Sequence, residues 1–182
     1  MATICLYGAA SNKIGEKYIE AVYDLGAKMA KRGHKMIYGA GASGLMGAAA
    51  RGMTDNGGFV IGVTPHFLHT MEPIYDKCTQ IINTETMSIR KEVMESNADA
   101  FIIAPGGVGT MDEFFEILTL KDLHQHTKPI VLFNVNGFYD ALDSAIRGIY
   151  SKGFIREDVM KMFKLCNTAD EILEEIEKGW ES

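Results

Sequence analysis

The stretch Phe101-Ile-Ile-Ala-Pro-Gly-Gly-Val-Gly-Thr-Met-Asp-Glu113, FIIAPGGVGTMDE, passes from a continuous apolar run through a glycine-rich turn into a helical pattern. An apolar run without alternation, here Ala100 to Ala104, reads as a strand buried on both faces, which requires helices above and below the sheet. The turn that follows frees backbone N–H groups at the start of a helix, so an anion is its expected occupant. Asp112 and Glu113 come immediately afterwards. What an acid does beside an anion site is the question the stretch poses.

The same unit recurs along the chain. Thr3 to Tyr7, Lys35 to Tyr38, Phe59 to Val63 and Ile130 to Asn134 are further unalternating runs, with weaker strands at Thr79 to Asn83 and Met162 to Cys166. Between them lie amphipathic stretches at Gly15 to Arg32, Gly44 to Asn56, Thr86 to Asn97, Thr110 to His124 and Phe138 to Lys152, and a final helix is expected at Ala169 to Lys178. This rhythm predicts an α/β fold, a doubly wound and mostly parallel sheet with helices on both faces. Neither a linker, a repeat nor a shift in composition divides the chain, so a single domain over 1–182 is expected.

Composition narrows the function. The 182 residues are 47% hydrophobic and 23% charged, with a formal net charge of -6. The 18 basic residues are scattered rather than gathered in a stripe, which argues against a nucleic-acid partner and for a small-molecule ligand. Cys5, Cys78 and Cys166 form no CxxC pair, and the amino terminus lacks the basic region of a signal peptide; both point to the cytoplasm. No apolar run is long enough to span a bilayer, so no membrane association is expected. His66 with His69, and His124 with His126, have no carboxylate or cysteine at ligand spacing, and no metal or other cofactor is expected.

In an open parallel sheet, ligands bind at the turns that follow strands. After the first strand, Tyr7-Gly-Ala-Ala-Ser11 admits a ligand to the backbone, and the Ser11 hydroxyl suits a phosphate oxygen; taken alone, the stretch favours a tight turn with Ser11 near a helix start. In YGAGASGLMG, Gly39, Gly41 and Gly44 satisfy G-x-G-x-x-G between a strand and a helix. The motif follows the second strand, however, and the next strand ends VIGVTP without an acid for a ribose diol, which disfavours NAD while keeping nucleotide binding. Gly44 serves there either as a ligand contact or in a close helix–strand packing turn. The third turn lacks the lysine of a P-loop, so nucleoside triphosphate hydrolysis is not expected.

Thr110-x-x-Glu113 also matches a capping box, and on local pattern alone Glu113 is a capping residue. A second cluster, TMSIRKEVME, places Arg90 and Lys91 in the first turns of a helix, where cations oppose the helix dipole and need an anionic partner. Glu92 and Glu95 offer the alternative of an ordinary solvated helix face.

The order and spacing of YGAGASGLMG, MSIRK and PGGVGTMDE resemble the Lonely Guy family, the cytokinin riboside 5'-monophosphate phosphoribohydrolases. The likeness continues through FEILTLKDLHQHTKPIVLFNVNGFYDAL and GFI, and so covers almost the whole chain. It implies a Rossmann-like, usually dimeric enzyme that cleaves the N-glycosidic bond of a nucleoside 5'-monophosphate, giving a free base and ribose 5-phosphate. It implies catalytic roles for Arg90 and Glu113, and substrate contacts at Glu72, Lys91, Gly106, Gly107, Val108, Gly109, Thr110 and Thr119, beside Ser11 and Gly44 from the other turns. Four positions depart from the family pattern: Ser88 stands where histidine is common, Ala9 and Ala10 where glycine and serine are, and Asp112 where glutamate is. They bear on substrate preference rather than on reaction class.

Cleavage of an N-glycosidic bond develops positive charge on the ribose ring, which a carboxylate at Glu113 would stabilise, with the 5'-phosphate anchored on the glycine turn. Arg90 would serve the anionic or leaving-group side with Lys91 assisting. Members of the family have also been labelled lysine decarboxylases, but no lysine here is placed for a Schiff base with pyridoxal. The alternative is a binding module that carries a nucleotide or molybdenum cofactor without hydrolysing it. Such a carrier needs the glycine turns and has no use for a carboxylate against the ribose.

Overall fold

The computed structural model describes residues 1–71 and 73–179. In chain order the elements are β1 (Thr3–Tyr7), α1 (Glu16–Lys31), β2 (Lys35–Tyr38), α2 (Gly44–Asp55), β3 (Phe59–Pro65), β4 (Gln80–Thr84), α3 (Met87–Ser96), β5 (Ala100–Ile103), α4 (Val108–Asp122), β6 (Ile130–Phe133), α5 (Asp140–Ser151), β7 (Lys164–Cys166) and α6 (Ala169–Lys178). A short 3₁₀ segment, His66–Thr70, follows β3. The strands form one seven-stranded sheet in the order β4-β3-β2-β1-β5-β6-β7, and every pairing is parallel. This is the Rossmann-like α/β architecture expected from the alternating pattern. Among the described residues no helix is long and apolar enough to cross a membrane.

The unalternating strands are explained by two cores. In β1, Ile4 and Leu6 face one apolar cluster with helices α1, α2 and α6, while Cys5 and Tyr7 face another with α3, α4 and α5. Both sides of each strand are therefore apolar, and the period-two signal disappears.

Strand order reverses between β1 and β5, which pair with each other at the centre of the sheet. The chain leaves β1 for β2 on one side and leaves β5 for β6 on the other, so the turns after these two strands diverge and open a crevice. They remain joined by one hydrogen bond, from Ala9 N–H to Pro105 O at 3.1 Å. Ala9 O in turn accepts Leu45 N–H at 2.8 Å, so the same residue ties down the start of α2.

That contact decides between the two roles open to Gly44. The first N–H groups of α2 are taken internally: Gly44 N–H donates to Asn12 Oδ1 at 3.2 Å, and Leu45 N–H to Ala9 O. Gly44 has φ +59, and a Cβ there would lie 2.5 Å from Ala9 O. The G-x-G-x-x-G sequence is thus a packing turn in which a bare backbone lets α2 dock on the first turn. Replacing Gly44 by alanine combines an unfavourable backbone with a backbone clash, and it is expected to lower the melting temperature by about 5 °C or more, measured by thermal denaturation.

Candidate active site

A cleft of about 710 Å³ opens above the carboxyl ends of β1, β3, β4 and β5. Its walls are the first turn (Gly8 to Ser11), Met46, Phe67 and Leu68 of the 3₁₀ segment, Met87, Ser88, Arg90 and Lys91 of α3, and Gly107, Gly109, Thr110, Asp112 and Glu113 at the start of α4. Across the rim formed by Ala9, Ser11 and Gly107 lies an apolar lobe of about 260 Å³, walled by Ile14, Tyr18, Leu45 and Phe138.

Helix α4 starts two residues earlier than the sequence pattern suggested. Gly107 is its N-cap and makes no side-chain cap, so Thr110 lies inside the first turn and Glu113 a turn further along. The capping-box expectation for Glu113 is therefore corrected. The same Thr-x-x-Glu pattern does cap α6: Glu171 N–H donates to Thr168 Oγ1 at 3.2 Å, and Asn167 N–H to Glu171 Oε2 at 2.7 Å. Helix register separates the two cases, and packing sets that register. Thr110 is buried against Gly106, where a Cβ would meet its hydroxyl at 2.1 Å. With a glycine cap, the N–H groups at the start of α4 have no side-chain acceptor and face the cleft, an arrangement suited to an anion.

Glu113 instead points toward α3. Its Oε1 lies 4.0 Å from Arg90 Nη1, and its side chain is 15% exposed. Arg90 is buried at 7% exposure. Its Nε donates to Val63 O at 3.0 Å and its Nη2 to Gly39 O at 3.3 Å. A Cβ on Gly39 would stand 1.8 Å from Nη2, so this glycine of the fingerprint serves the arginine rather than a dinucleotide. Lys91 pairs across to α4, with Glu116 Oε2 and with Asp112 Oδ2 at 3.2 Å, rather than with Glu92 or Glu95 of its own helix.

Burial pushes the Glu113 carboxyl up from 4.5 to about 7, against the opposing pull of Arg90 and Lys91. Burial likewise raises Glu95 to about 7, with Glu116 as its next cause. Lys91 is pushed above its ordinary range, first by Glu116.

The remaining sequence candidates separate. Ser11, Gly107, Gly109 and Thr110 line the cleft with Arg90, Lys91 and Glu113, while Gly106 lines the apolar lobe. Ser11 also makes the turn, its Oγ accepting Lys13 N–H at 3.1 Å. Val108 is 88% exposed at the start of α4, Gly44 is packed away from the cleft, and Thr119 is exposed further along α4 without lining it. Glu72 lies outside the described residues. Among the methionines of α3 and α4, Met94 is buried and Met111 packs on the core, whereas Met87 lines the cleft. Met46, Phe67 and Leu68 were not singled out from sequence; the placement of Phe67 and Leu68 just past a strand was the available signal.

The family model described as "possible lysine decarboxylase" matches residues 46–176. Cytokinin riboside 5'-monophosphate phosphoribohydrolase LOG of Oryza sativa subsp. japonica is 37% identical over 175 residues, 96% of this chain and 72% of that protein. The chain belongs to the Lonely Guy family. The cytokinin riboside 5'-monophosphate phosphoribohydrolase of Mycobacterium tuberculosis is 35% identical over 171 residues, covering 94% of this chain and 91% of its own. Among solved structures, the molybdenum cofactor carrier protein of Chlamydomonas reinhardtii superimposes with a TM-score of 0.77 at 19% identity, over 99% of this chain and 98% of its own, a likeness of fold.

The decarboxylase description does not suit this Lonely Guy site. A Schiff-base amine must lose its proton, whereas Lys91 is held charged by two carboxylates.

A carboxyl whose pKa is raised on folding binds its proton more tightly in the native state. Glu113 therefore costs nothing below pH 4.5, costs progressively more as pH rises toward about 7, and carries the full penalty above it. Glu113→Gln is expected to stabilise the protein at pH 8 by on the order of 2 kcal/mol, or roughly 5 °C in melting temperature, and to have little effect at pH 4.5.

Proposed function

We propose that this chain hydrolyses the N-glycosidic bond of a nucleoside 5'-monophosphate, AMP or an N6-prenylated AMP, releasing the base and ribose 5-phosphate. The observation that carries the reading is the Glu113 carboxylate standing in the cleft beside the uncapped start of α4. The names of the relatives support it. The 5'-phosphate would rest on the N–H groups from Gly107 to Thr110, remote from the bond that breaks, so that its binding energy orients the ribose. Ser11 would add a hydroxyl at the rim.

With the phosphate so placed, Glu113 faces the ribose. As the bond between C1' and the base nitrogen breaks, its electron pair leaves with the base, and the ring gains the positive charge that the carboxylate stabilises. Water adds to C1', passing a proton to Glu113, and the departing base takes up a proton from solvent. Arg90 orients Glu113 and keeps one guanidinium edge toward the cleft. Lys91 adds positive charge on the same wall. The scheme calls for no metal or other cofactor.

Residues 1–182 would work as one domain, in the cytoplasm, as a homodimer and without nucleic acid. Met87 and Ile89 of α3 and Phe115 of α4 are exposed apolar side chains that a second copy would cover. A carrier of the molybdenum-cofactor kind would use the same crevice but would gain nothing from a buried carboxylate at the ribose.

Purified protein is expected to release adenine from AMP or the free base from N6-prenylated AMP, followed by chromatography, with activity rising as Glu113 ionises near pH 7. Glu113→Gln is expected to retain nucleotide binding and lose turnover by about 100-fold or more. Intact nucleotides after long incubation with folded protein would favour the carrier. Sedimentation velocity is expected to give a dimer, and Phe115→Asp a shift toward monomer; a monomeric wild type would end the dimer assignment.

A further inference from the structure

Both cations beside Glu113 are held by other acceptors. Arg90 spends Nε and Nη2 on the carbonyls of Val63 and Gly39 and keeps Nη1 at 4.0 Å from Glu113. Lys91 is bracketed from α4, where Glu116 and Asp112 stand one helical turn apart and both contact its ammonium. The lysine lines the cleft and its side chain is only 20% exposed. An ammonium on a four-carbon stem is easily redirected. Stripped of Glu116, it has the buried Glu113 carboxylate within its neighbourhood, one residue from Asp112.

We propose that Glu116, assisted by Asp112, is a positioning residue that holds the Lys91 ammonium off Glu113 and so leaves the Glu113 oxygens open to the hydroxyls and water of a bound nucleotide. This deepens the hydrolase reading and rests on it for the identity of the occupant. A carboxylate locked in a close lysine pair would have its lone pairs taken and its charge neutralised before any ribose cation forms. Restraining each counter-ion elsewhere gives Glu113 a positive environment without a saturating partner. The groups that bear on Glu113 are Arg90 and Lys91 from α3, Asp112 and Glu116 from α4, and the buried Cys5 and Tyr7 of β1.

The test is a titration of the Glu113 side-chain carboxyl by ¹³C NMR in the full chain without nucleotide, beside steady-state kinetics with AMP. In Glu116→Gln the Glu113 midpoint is expected to fall by about one pH unit as Lys91 turns to it, and Glu116→Asp to stay close to wild type. In a Lys91→Met background, Glu116→Gln is expected to lower the Glu113 midpoint far less, by the loss of the Glu116 charge alone. Turnover of Glu116→Gln is expected to drop about tenfold or more with KM little changed, because binding is retained while the carboxylate is occupied.

A Glu113 midpoint that does not move in Glu116→Gln overturns the proposal, as does a fall equally large when Lys91 is absent. A fall at Glu95 with Glu113 unmoved overturns it as well, since Lys91 would then have turned along its own helix. Lys91→Met alone gives a check independent of any Glu116 variant: a lysine held off Glu113 leaves that midpoint within about one unit of wild type, and a larger rise means a direct pair. The titration needs no substrate. Absence of base release by the wild type would therefore refute the hydrolase reading without touching the clamp.

Discussion

The backbone of Ala9 joins the parts on which the cleft depends. Its N–H donates to Pro105 O after β5, and its carbonyl accepts Leu45 N–H at the start of α2. At a topological switch point the turns on either side diverge, and nothing in the sheet itself holds them in register. The Ala9 backbone provides that link, fixing the first turn against both the glycine turn after β5 and the second helix. The small residues around it follow from this constraint. Gly8 is packed beside Ala104, and Gly44 lies against the Ala9 carbonyl, where larger side chains would separate the backbones.

The chemistry of the cleft rests on charges that are buried and only partly satisfied. Glu113 is raised in pKa because desolvation outweighs its two neighbouring cations. Arg90 is secured mainly by the carbonyls of Gly39 and Val63, so its position does not depend on Glu113 being ionised. This is an expensive arrangement for the folded state, since a carboxylate is held in a poor solvent without a close partner. It suits a site where positive charge must develop on a substrate, because the missing partner is then the transition state. Helix α4 shows the same economy: it begins at a glycine without a capping side chain, which leaves its N–H groups for a ligand.

Nearly every strand and helix was legible in the sequence. The apolar runs of β1, β5 and β6 and the glycine turns after strands depend on local composition and on a sheet covered on both faces, and these survive any detail of packing. The resemblance carried Arg90, Lys91 and Glu113 to positions that do share one cleft. Two readings needed the third dimension. Thr110-x-x-Glu113 and Thr168-x-x-Glu171 are alike as text, yet only the second caps its helix, because the burial of Thr110 against Gly106 pulls α4 into an earlier start. Gly39, Gly41 and Gly44 match a nucleotide fingerprint, yet Gly39 makes room for Arg90 and Gly44 for Ala9.

The sequence by itself determined the architecture, the family and the residue types available for chemistry, because periodicity, glycine placement and motif spacing are properties of the chain in order. Only the tertiary structure decided which acceptors hold each charge. Val63, Gly39, Glu113 and Arg90 come from four separate stretches of chain, and Lys91 reaches across to Glu116 and Asp112 rather than along its own helix. The strength and direction of an electrostatic interaction depend on distance and burial, and neither is fixed until the helices α3 and α4 are laid side by side on the sheet.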